Sequence, residues 1–280
     1  MAKKSRRKKQ THARIPVVIR AFEGLAQEGD LIAMREFVSS GTAAITLKDG
    51  RRVRLVTLLP GAGAGLVRPD GEVWVALQVA HNHGDISRDL AHVLELASEV
   101  EPGNPIKMTT PVPGARLQDL IEPGAEFTIE VHEDFNWWLS DEERDQEAAA
   151  AALQAVNDGV WQTTKLSQVE SAWATDMGDH TYLRWAMPWA DEDQLLNAFA
   201  RLKAAGTETI SPGTKLIGMF RAHGVLVPVW EIDEADFAEV DSAAPAFKAL
   251  LETTLGSSAA LSSTERSARQ ELVSRQVTIR

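Results

Sequence analysis

The hydrophobic positions in the first quarter of the chain follow two different periods. Over residues 30–38 apolar side chains recur every three to four residues, which predicts an amphipathic helix. The period then shortens to two over 43–47 and 51–59, which predicts two strands. These strands flank Asp49-Gly50, a pair that favours a tight hairpin turn.

The pattern continues with a second hairpin and a second helix. A third and a fourth strand flank the turn at 69–71, and a helix with apolar residues at core spacing begins near Ser87. The stretch 102–125 is rich in proline and glycine, which indicates a loop with one short strand near 107–112.

Strands and helices also alternate in the second half. The first predicted elements are a strand at 126–135 and an alanine-rich helix that begins at the capping box 140–143 and ends at 157–159. A strand at 181–187 and a helix from Asp191 to Gly206 follow. The last are a hairpin of 215–221 and 225–232 across His223 and a helix at 245–255. The last residues show little apolar face, so they are either disordered or a helix that folds on a partner.

We therefore predict an α+β fold made of two similar small mixed sheet-and-helix units. The first unit spans 21–125 and the second spans 126–256, with a disordered basic arm at 1–20 and a short C-terminal tail at 257–280. The similarity depends on turns at 67–71 and 220–224 that share an arginine and a glycine. Two unrelated hairpins would share the same turn residues for local reasons, so that alternative stays open.

Composition narrows the class of protein. The 280 residues are 44% hydrophobic and 25% charged, which is typical of a soluble globular chain that builds its own core. The sequence contains no cysteine, which excludes disulfides, thiolate catalysis and cysteine-ligated metal or iron–sulfur sites. Because no segment has the roughly 18 apolar residues of a membrane span, we expect a cytoplasmic protein without a membrane span.

Charge is distributed very unevenly along the chain. The first twenty residues carry eight positive charges and no acidic residue, whereas the whole chain carries −11, so residues 21–280 carry −19. A basic arm on an acidic body is a common arrangement for binding a polyanion. The nucleic-acid-binding residues that we predict are Lys3, Lys4, Arg6, Arg7, Lys8, Lys9 and Arg14. A solvated leader and a weak membrane-surface contact are the alternatives.

Two short motifs resemble ligand sites but have simpler explanations. The glycine-rich run 61–65 is followed by strand and turn residues rather than by a helix, so we expect a flexible loop and no phosphate site. His81, His83 and Asp85 offer two imidazoles and a carboxylate, but His92 lies within the next helix and no third imidazole has a usable spacing. We therefore predict no metal and no other cofactor.

The segment 132–143 places acidic residues beside Trp137 and Trp138. Paired carboxylates near aromatic rings are what glycoside cleavage requires, so a hydrolytic site is one interpretation. The others are an exposed binding surface and packing beneath the neighbouring helix, and we assign no catalytic residue. A second acidic run at 231–241 has six acids, which makes it a candidate resting place for the basic arm.

Several segments together resemble a known family. They are the basic start 1–8, Pro16 with Phe22-Glu23-Gly24-Leu25, the turn 66–71, and the hairpin 218–230. The chain resembles an uncharacterised actinobacterial family, a domain of unknown function, whose members are sometimes labelled type II topoisomerases or preprotein translocase ATPase subunits. The sequence lacks the phosphate-loop lysine and the cysteines that the translocase label implies. Its one tyrosine, Tyr182, lies in an apolar predicted strand rather than in a DNA-binding context.

The function that we expect is accessory and non-enzymatic. In this hypothesis the arm binds RNA, DNA or a ribonucleoprotein, and the acidic body contacts a protein or regulates the arm. The alternatives are an enzyme of unassigned hydrolytic class that uses 132–143, and a protein–protein adaptor whose arm is only a leader.

Overall fold

A computed structural model describes residues 15–139, 147–233 and 235–274. Within these ranges the chain forms a six-stranded mixed sheet, a five-stranded antiparallel sheet and seven α-helices. This confirms the predicted α+β class. The predicted capping box at 140–143 lies outside the described residues, as does most of the basic arm.

The first sheet contains six strands. They are β1 (Gly41–Thr46), β2 (Arg52–Val56), β3 (Gly65–Val67), β4 (Val73–Ala76), β5 (Pro105–Ile106) and β6 (Ile129–Val131). Their order across the sheet is β5-β3-β4-β2-β1-β6, and only the β2–β4 pair is parallel. Both predicted hairpins are confirmed, and each has a turn glycine, Gly50 or Gly71, with a positive φ.

Three helices accompany this sheet, namely α1 (Glu28–Glu36), α2 (Ile86–Leu96) and the short α3 (Leu117–Leu120). The carboxylate of Asp85 caps α2 by accepting from the amides of Ser87 and Arg88 at 3.1 and 3.4 Å. The predicted helix at 30–38 is confirmed, and both its start and its end lie two residues earlier.

The second sheet contains β7 (Thr163–Lys165), β8 (Ala172–Asp176), β9 (Thr181–Trp185), β10 (Lys215–Ala222) and β11 (Val225–Glu231). Their order is β10-β11-β9-β8-β7, and every neighbouring pair is antiparallel. The hairpin across His223 is confirmed. The sequence did not predict β7 or β8, since β7 is short and polar and β8 has no clean alternation.

Four helices belong to the second half: α4 (Glu147–Asn157), α5 (Glu192–Ala205), α6 (Phe237–Leu255) and α7 (Ser263–Ser274). Asp191 caps α5 through the amides of Asp193 and Gln194, and Gly206 ends it in the left-handed conformation, as predicted.

The prediction that the last long helix begins at Pro245 is wrong. Asp236 caps α6, and the helix runs through Pro245. Proline inside a helix costs about 3 kcal/mol because its ring removes a donor and crowds the preceding turn. Burial of Val240 before it and of Phe247 and Leu251 after it offsets that cost.

The C-terminal tail contains a helix with a buried face, which the sequence did not predict. Helix α7 packs along α5, with Ala268 and Leu272 buried against it. Arg269 Nη2 lies 2.6 Å from Asp193 Oδ1, which ties the two helices together at the surface. Two buried side chains in twelve residues are a weak periodic signal, so the pattern alone did not reveal this contact.

Two predicted strands are also corrected. The strand expected near 107–112 is instead the two-residue β5, and the strand expected over 126–135 is limited to β6 because Phe135 leads into a short 3₁₀ helix at Asn136–Trp138. Strand β6 pairs with β1, so the segment 126–256 contributes its first strand to the first sheet.

The two sheets share a hydrophobic core where they meet. Trp173, Ala186, Ala222, Val225 and Val227 of the second half pack in one cluster with the buried faces of α1 and the first sheet. The tip of the second hairpin also reaches the N-terminal segment: a Cβ on Gly224 would lie 2.9 Å from the Cα of Arg20. Side chains from both halves of the chain therefore pack together at the junction between the sheets.

Candidate nucleic-acid-binding arm and other candidate sites

The seven predicted arm residues lie outside the described residues: Lys3, Lys4, Arg6, Arg7, Lys8, Lys9 and Arg14. The attachment of the arm to the body is described from Ile15 onward. The Val18 amide donates to the Gly84 carbonyl at 2.8 Å, and Arg20 donates to both carboxylate oxygens of Glu28 at 2.7 and 2.8 Å. This hydrogen bond raises the pKa of Arg20. Arg20 therefore anchors the segment to α1, and its charge is neutralised by the body.

The loop with His81 and His83 is organised by a buried carboxylate. Asp89 of α2 accepts from the His83 amide at 3.0 Å and lies 3.2 Å from His83 Nδ1. Burial lowers the pKa of His81, whose ring lies 5.8 Å from that of His83. His92 points elsewhere and contacts Glu95 and Thr109. The carboxylate of Asp85 is occupied as the N-cap of α2.

The glycine-rich run also has a structural explanation. Gly65 lies in β3, where an added Cβ would stand 2.8 Å from side-chain atoms of both Ile106 and Val93. A strand follows the run and no helix does, so there is no helix N-terminus at which a phosphate would bind.

The aromatic segment after β6 packs inward. The indole N–H of Trp137 donates to Ser40 Oγ and that of Trp138 donates to the Leu58 carbonyl, both at 2.9 Å. Asp134 accepts from the Asn136 amide at 2.8 Å, so its carboxylate stabilises the local turn. The acids of 141–143 lie outside the described residues.

Three carboxylates of the acidic run 231–241 are occupied by hydrogen bonds within the folded body. Asp236 caps α6, and Asp241 accepts from the amides of Ser167 and Gln168 at 2.8 and 3.0 Å. Asp233 accepts from the Thr181 amide and from His180 Nδ1, both at 2.5 Å. These carboxylates are therefore less available to the basic arm, for which the sequence had made the run a candidate resting place.

His180, Glu231 and Asp233 form the group within the described residues whose ligand atoms lie close enough for a metal, within 4.8 Å of one another. The backbone hydrogen bond from Thr181 and the bond from His180 lower the pKa of Asp233, and the same bond to Asp233 raises the pKa of His180. The cluster lies at the protein surface, and His180 and Asp233 already bind each other. These contacts stabilise the strand ends, which explains why the three side chains lie close together.

A cavity lies at the junction between the two sheets. It encloses about 240 Å³ and is lined by the end of α1 and the residues after it, by Gln78, and by side chains of the second sheet. Arg184 of β9 and Thr175 of β8 are among those side chains, and both are almost completely buried. Trp161 stands at the cavity with 46% of its surface exposed.

The family model for a family of unknown function (DUF5926) matches residues 21–280. The chain belongs to this family. No curated protein and no solved structure matches the chain. Within the described residues, no helix is both long and apolar enough to cross a membrane.

The family match has two consequences for the candidate sites. The match begins at residue 21, so the basic arm lies outside it, while Arg184 and its cavity lie within it. The family's description gives no activity, so it assigns no role to any residue. We therefore infer the function from the charges and contacts of this chain.

The cavity is not evident from the sequence, although one signal is present. Arg184 is a charged residue between Leu183 and Trp185 in an otherwise apolar strand. A charge at such a position is normally paired when it is buried. Its partner, or the lack of one, depends on which elements pack across the sheet.

Proposed function

We propose that the chain is a non-enzymatic accessory protein that binds nucleic acid or a ribonucleoprotein through its N-terminal arm. The observation that carries this proposal is the charge separation: the first twenty residues carry +8 and residues 21–280 carry −19. A polyanion would be attracted to the arm and repelled by the body. The arm, and not the folded surface, would therefore make the contact.

Because of its contacts, we do not count Arg20 among the charges that bind nucleic acid. Arg20 is bound by Glu28, whereas the other seven cations fall within residues 3–14, where no acid neighbours them. If each of the seven contacts one phosphate, the log–log slope of affinity against salt reaches about −5 on single strands. No aromatic residue occurs in 1–20, so base stacking is missing and sequence preference is weak.

The test is to measure the binding of labelled single-stranded RNA and DNA by fluorescence anisotropy between 50 and 200 mM salt. We expect the full chain to bind both with a steep salt dependence. Deletion of residues 2–14 abolishes binding, and so does replacement of the seven cations by glutamine, which keeps the length of the arm. The variant Trp137→Ala binds as the unaltered chain does, because its indole packs inward.

One result would replace this proposal by another function. If the deletion variant bound RNA and DNA as well as the full chain, the arm would be only a leader and the adaptor hypothesis would take its place. Co-purification from native lysate with and without nuclease separates a nucleic-acid partner from a protein partner. The described contacts of 132–139 favour packing, so we advance no hydrolytic function.

A further inference from the structure

The cavity between the sheets contains an arginine without a counter-ion. Arg184 is 4% exposed and forms no ion pair with any carboxylate of the described residues. Its Nε is buried without a hydrogen-bond partner, and its Nη2 lies 3.4 Å from the sulfur of Met177, a weak acceptor. The ring of Tyr182 lies 5.8 Å from the guanidinium.

A buried charge without a partner is costly for a folded protein. Burial lowers the pKa of Arg184, but an arginine stays protonated at neutral pH in proteins. The charge therefore has to be carried in the cavity wall, at a cost that only an anion or several good acceptors would offset. The described residues supply neither, so the site is incomplete on its own.

A second polar group in the same wall also lacks a partner. Thr175 Oγ1 is buried and makes no hydrogen bond. The strand register pairs Thr175 with Tyr182, and Trp173 with Arg184, so Thr175 and Arg184 lie on the same face of the sheet. They are diagonal neighbours, a relation that places residues about 7–8 Å apart. One small oxyanion placed between them would satisfy both.

The rest of the cavity indicates the shape of the ligand. Trp161 offers an exposed aromatic face, and its amide is held by Ser39 Oγ at 3.1 Å. Gln78 is fixed by its two hydrogen bonds to the carbonyls of Met34 and Val38. Glu36 also lines the cavity, but its carboxylate is already paired with His223 and Arg35. A volume of about 240 Å³ exceeds the roughly 30 Å³ share of one water and suits a small ligand.

We propose that this cavity binds a small planar organic anion. Its single carboxylate or phosphate group is received by the guanidinium of Arg184 and the hydroxyl of Thr175, and its ring lies against Trp161. This is a second binding function, separate from the polyanion contact of the arm. Arginine suits it because its N–H groups bind a carboxylate or phosphate through two parallel hydrogen bonds.

The test uses isothermal titration of the full chain with four probes at 150 mM sodium chloride, in a buffer free of carboxylate and phosphate. Benzoate and phenyl phosphate are the planar anions, and we expect saturable 1:1 binding of at least one, which identifies the head group. Benzamide has the ring without the charge, and we expect it to bind at least tenfold more weakly than benzoate. Cyclohexanecarboxylate has the charge without the flat ring, and we expect a loss of about three- to tenfold.

Substitutions of the residues that line the cavity test whether the probes bind there. Arg184→Met weakens binding at least tenfold, and Thr175→Val, which keeps the side-chain shape, weakens it about three- to tenfold. Arg184→Met leaves the thermal midpoint of the ligand-free protein unchanged or raises it, because an unpaired charge is replaced by an apolar group. Failure to fold is therefore not the expected cause of lost binding. Trp161→Ala reduces the preference for benzoate over cyclohexanecarboxylate.

The matched control is Trp189→Ala, which removes another partly exposed tryptophan that lies beneath Lys248 and does not line the cavity. We expect it to leave probe affinity unchanged. The proposal is overturned if neither anion binds, if benzamide binds as well as benzoate, or if Arg184→Met binds as tightly as the unaltered chain. The last result would place the anion elsewhere, for example on the arm. The nucleic-acid affinity of Arg184→Met should be unchanged, so the two proposals fail independently.

Discussion

Two buried arginines of this protein have opposite surroundings. Arg88 on α2 is 3% exposed and Arg184 on β9 is 4% exposed, so both side chains are buried to the same degree. Arg88 donates to both oxygens of Glu95 at 2.8 Å and to the carbonyls of Val112 and Ala115 at 2.8 and 3.1 Å. The guanidinium of Arg184 instead contacts the sulfur of Met177 and lies near the ring of Tyr182.

The comparison shows how burial of the same side chain serves two purposes. The loop 112–116 wraps around the Arg88 guanidinium and supplies the acceptors, so this charge joins the loop to α2. At Arg184 the sheet supplies no acceptor, and a cavity lies where one would be. A fully satisfied buried charge is part of the scaffold, whereas an unsatisfied one beside a cavity indicates a site for a ligand.

The largest expected effect comes from the same substitution at both positions. Arg88→Met removes the donor to two loop carbonyls and breaks the pair between a buried guanidinium and Glu95, so the free energy of unfolding falls by about 2–4 kcal/mol. Arg184→Met, in a buffer free of carboxylate and phosphate, leaves that free energy unchanged or raises it by up to about 2 kcal/mol. Urea denaturation at pH 7 measures both, with equal slopes as the check on two-state behaviour.

Arg221→Met is the control for an exposed arginine, since Arg221 is paired with Glu192 at the surface. We expect it to change the free energy of unfolding by less than about 1 kcal/mol. Equal losses for Arg88→Met and Arg184→Met would show that Arg184 is also structural, and the comparison would fail.

A smaller effect is expected at Gly114, which gives the Arg88 guanidinium its space. A Cβ at this position would lie 2.9 Å from Cζ and Nη2 of Arg88. Because four hydrogen bonds hold that guanidinium, Gly114→Ala should destabilise the protein by about 1–3 kcal/mol. In an Arg88→Met background the cost should shrink, which a double-mutant cycle measures as coupling.

Gly159→Ala is the matched control, since its nearest neighbour beyond the adjacent residues is a carbonyl at an ordinary 3.5 Å. It should change stability by no more than about 0.5 kcal/mol. Additive effects of Gly114→Ala and Arg88→Met would mean that the glycine does not act through the arginine.

The smallest effect is a difference in pH dependence. The hydrogen bond from Arg88 lowers the pKa of Glu95, and the nearby His92 adds to this lowering. A lowered folded-state pKa contributes stability above the ordinary value of about 4.3, and that stability is lost as the pH falls through the folded value. The destabilisation by Arg88→Met should therefore shrink between pH 6 and pH 3.

Arg184 has no carboxylate partner among the described residues, so the effect of Arg184→Met should stay constant over the same range. Urea midpoints of each variant and the unaltered chain at half-unit pH intervals measure both trends. A parallel fall for the two variants would contradict the difference in partners.

The sequence predicted the features that depend on neighbouring residues. The turns at Gly50, Gly71 and His223 and the caps at Asp191 and Gly206 follow from local backbone preferences and from hydrogen bonds a few residues apart. The start of α6 was predicted wrongly because proline usually marks a first helical turn. Its place inside this helix depends on the core on either side of it.

The tertiary structure decided which distant residues meet. By itself the sequence determined the α+β class, the hairpins, the absence of cysteine chemistry and the separation of charge between arm and body. It did not determine that β6 joins the first sheet, that α7 packs on α5, or that Arg88 is satisfied and Arg184 is not. The reason is physical: a turn or cap is specified within about four residues. The surroundings of a buried charge are set by acceptors that only folding brings together, such as the Val112 and Ala115 carbonyls around Arg88.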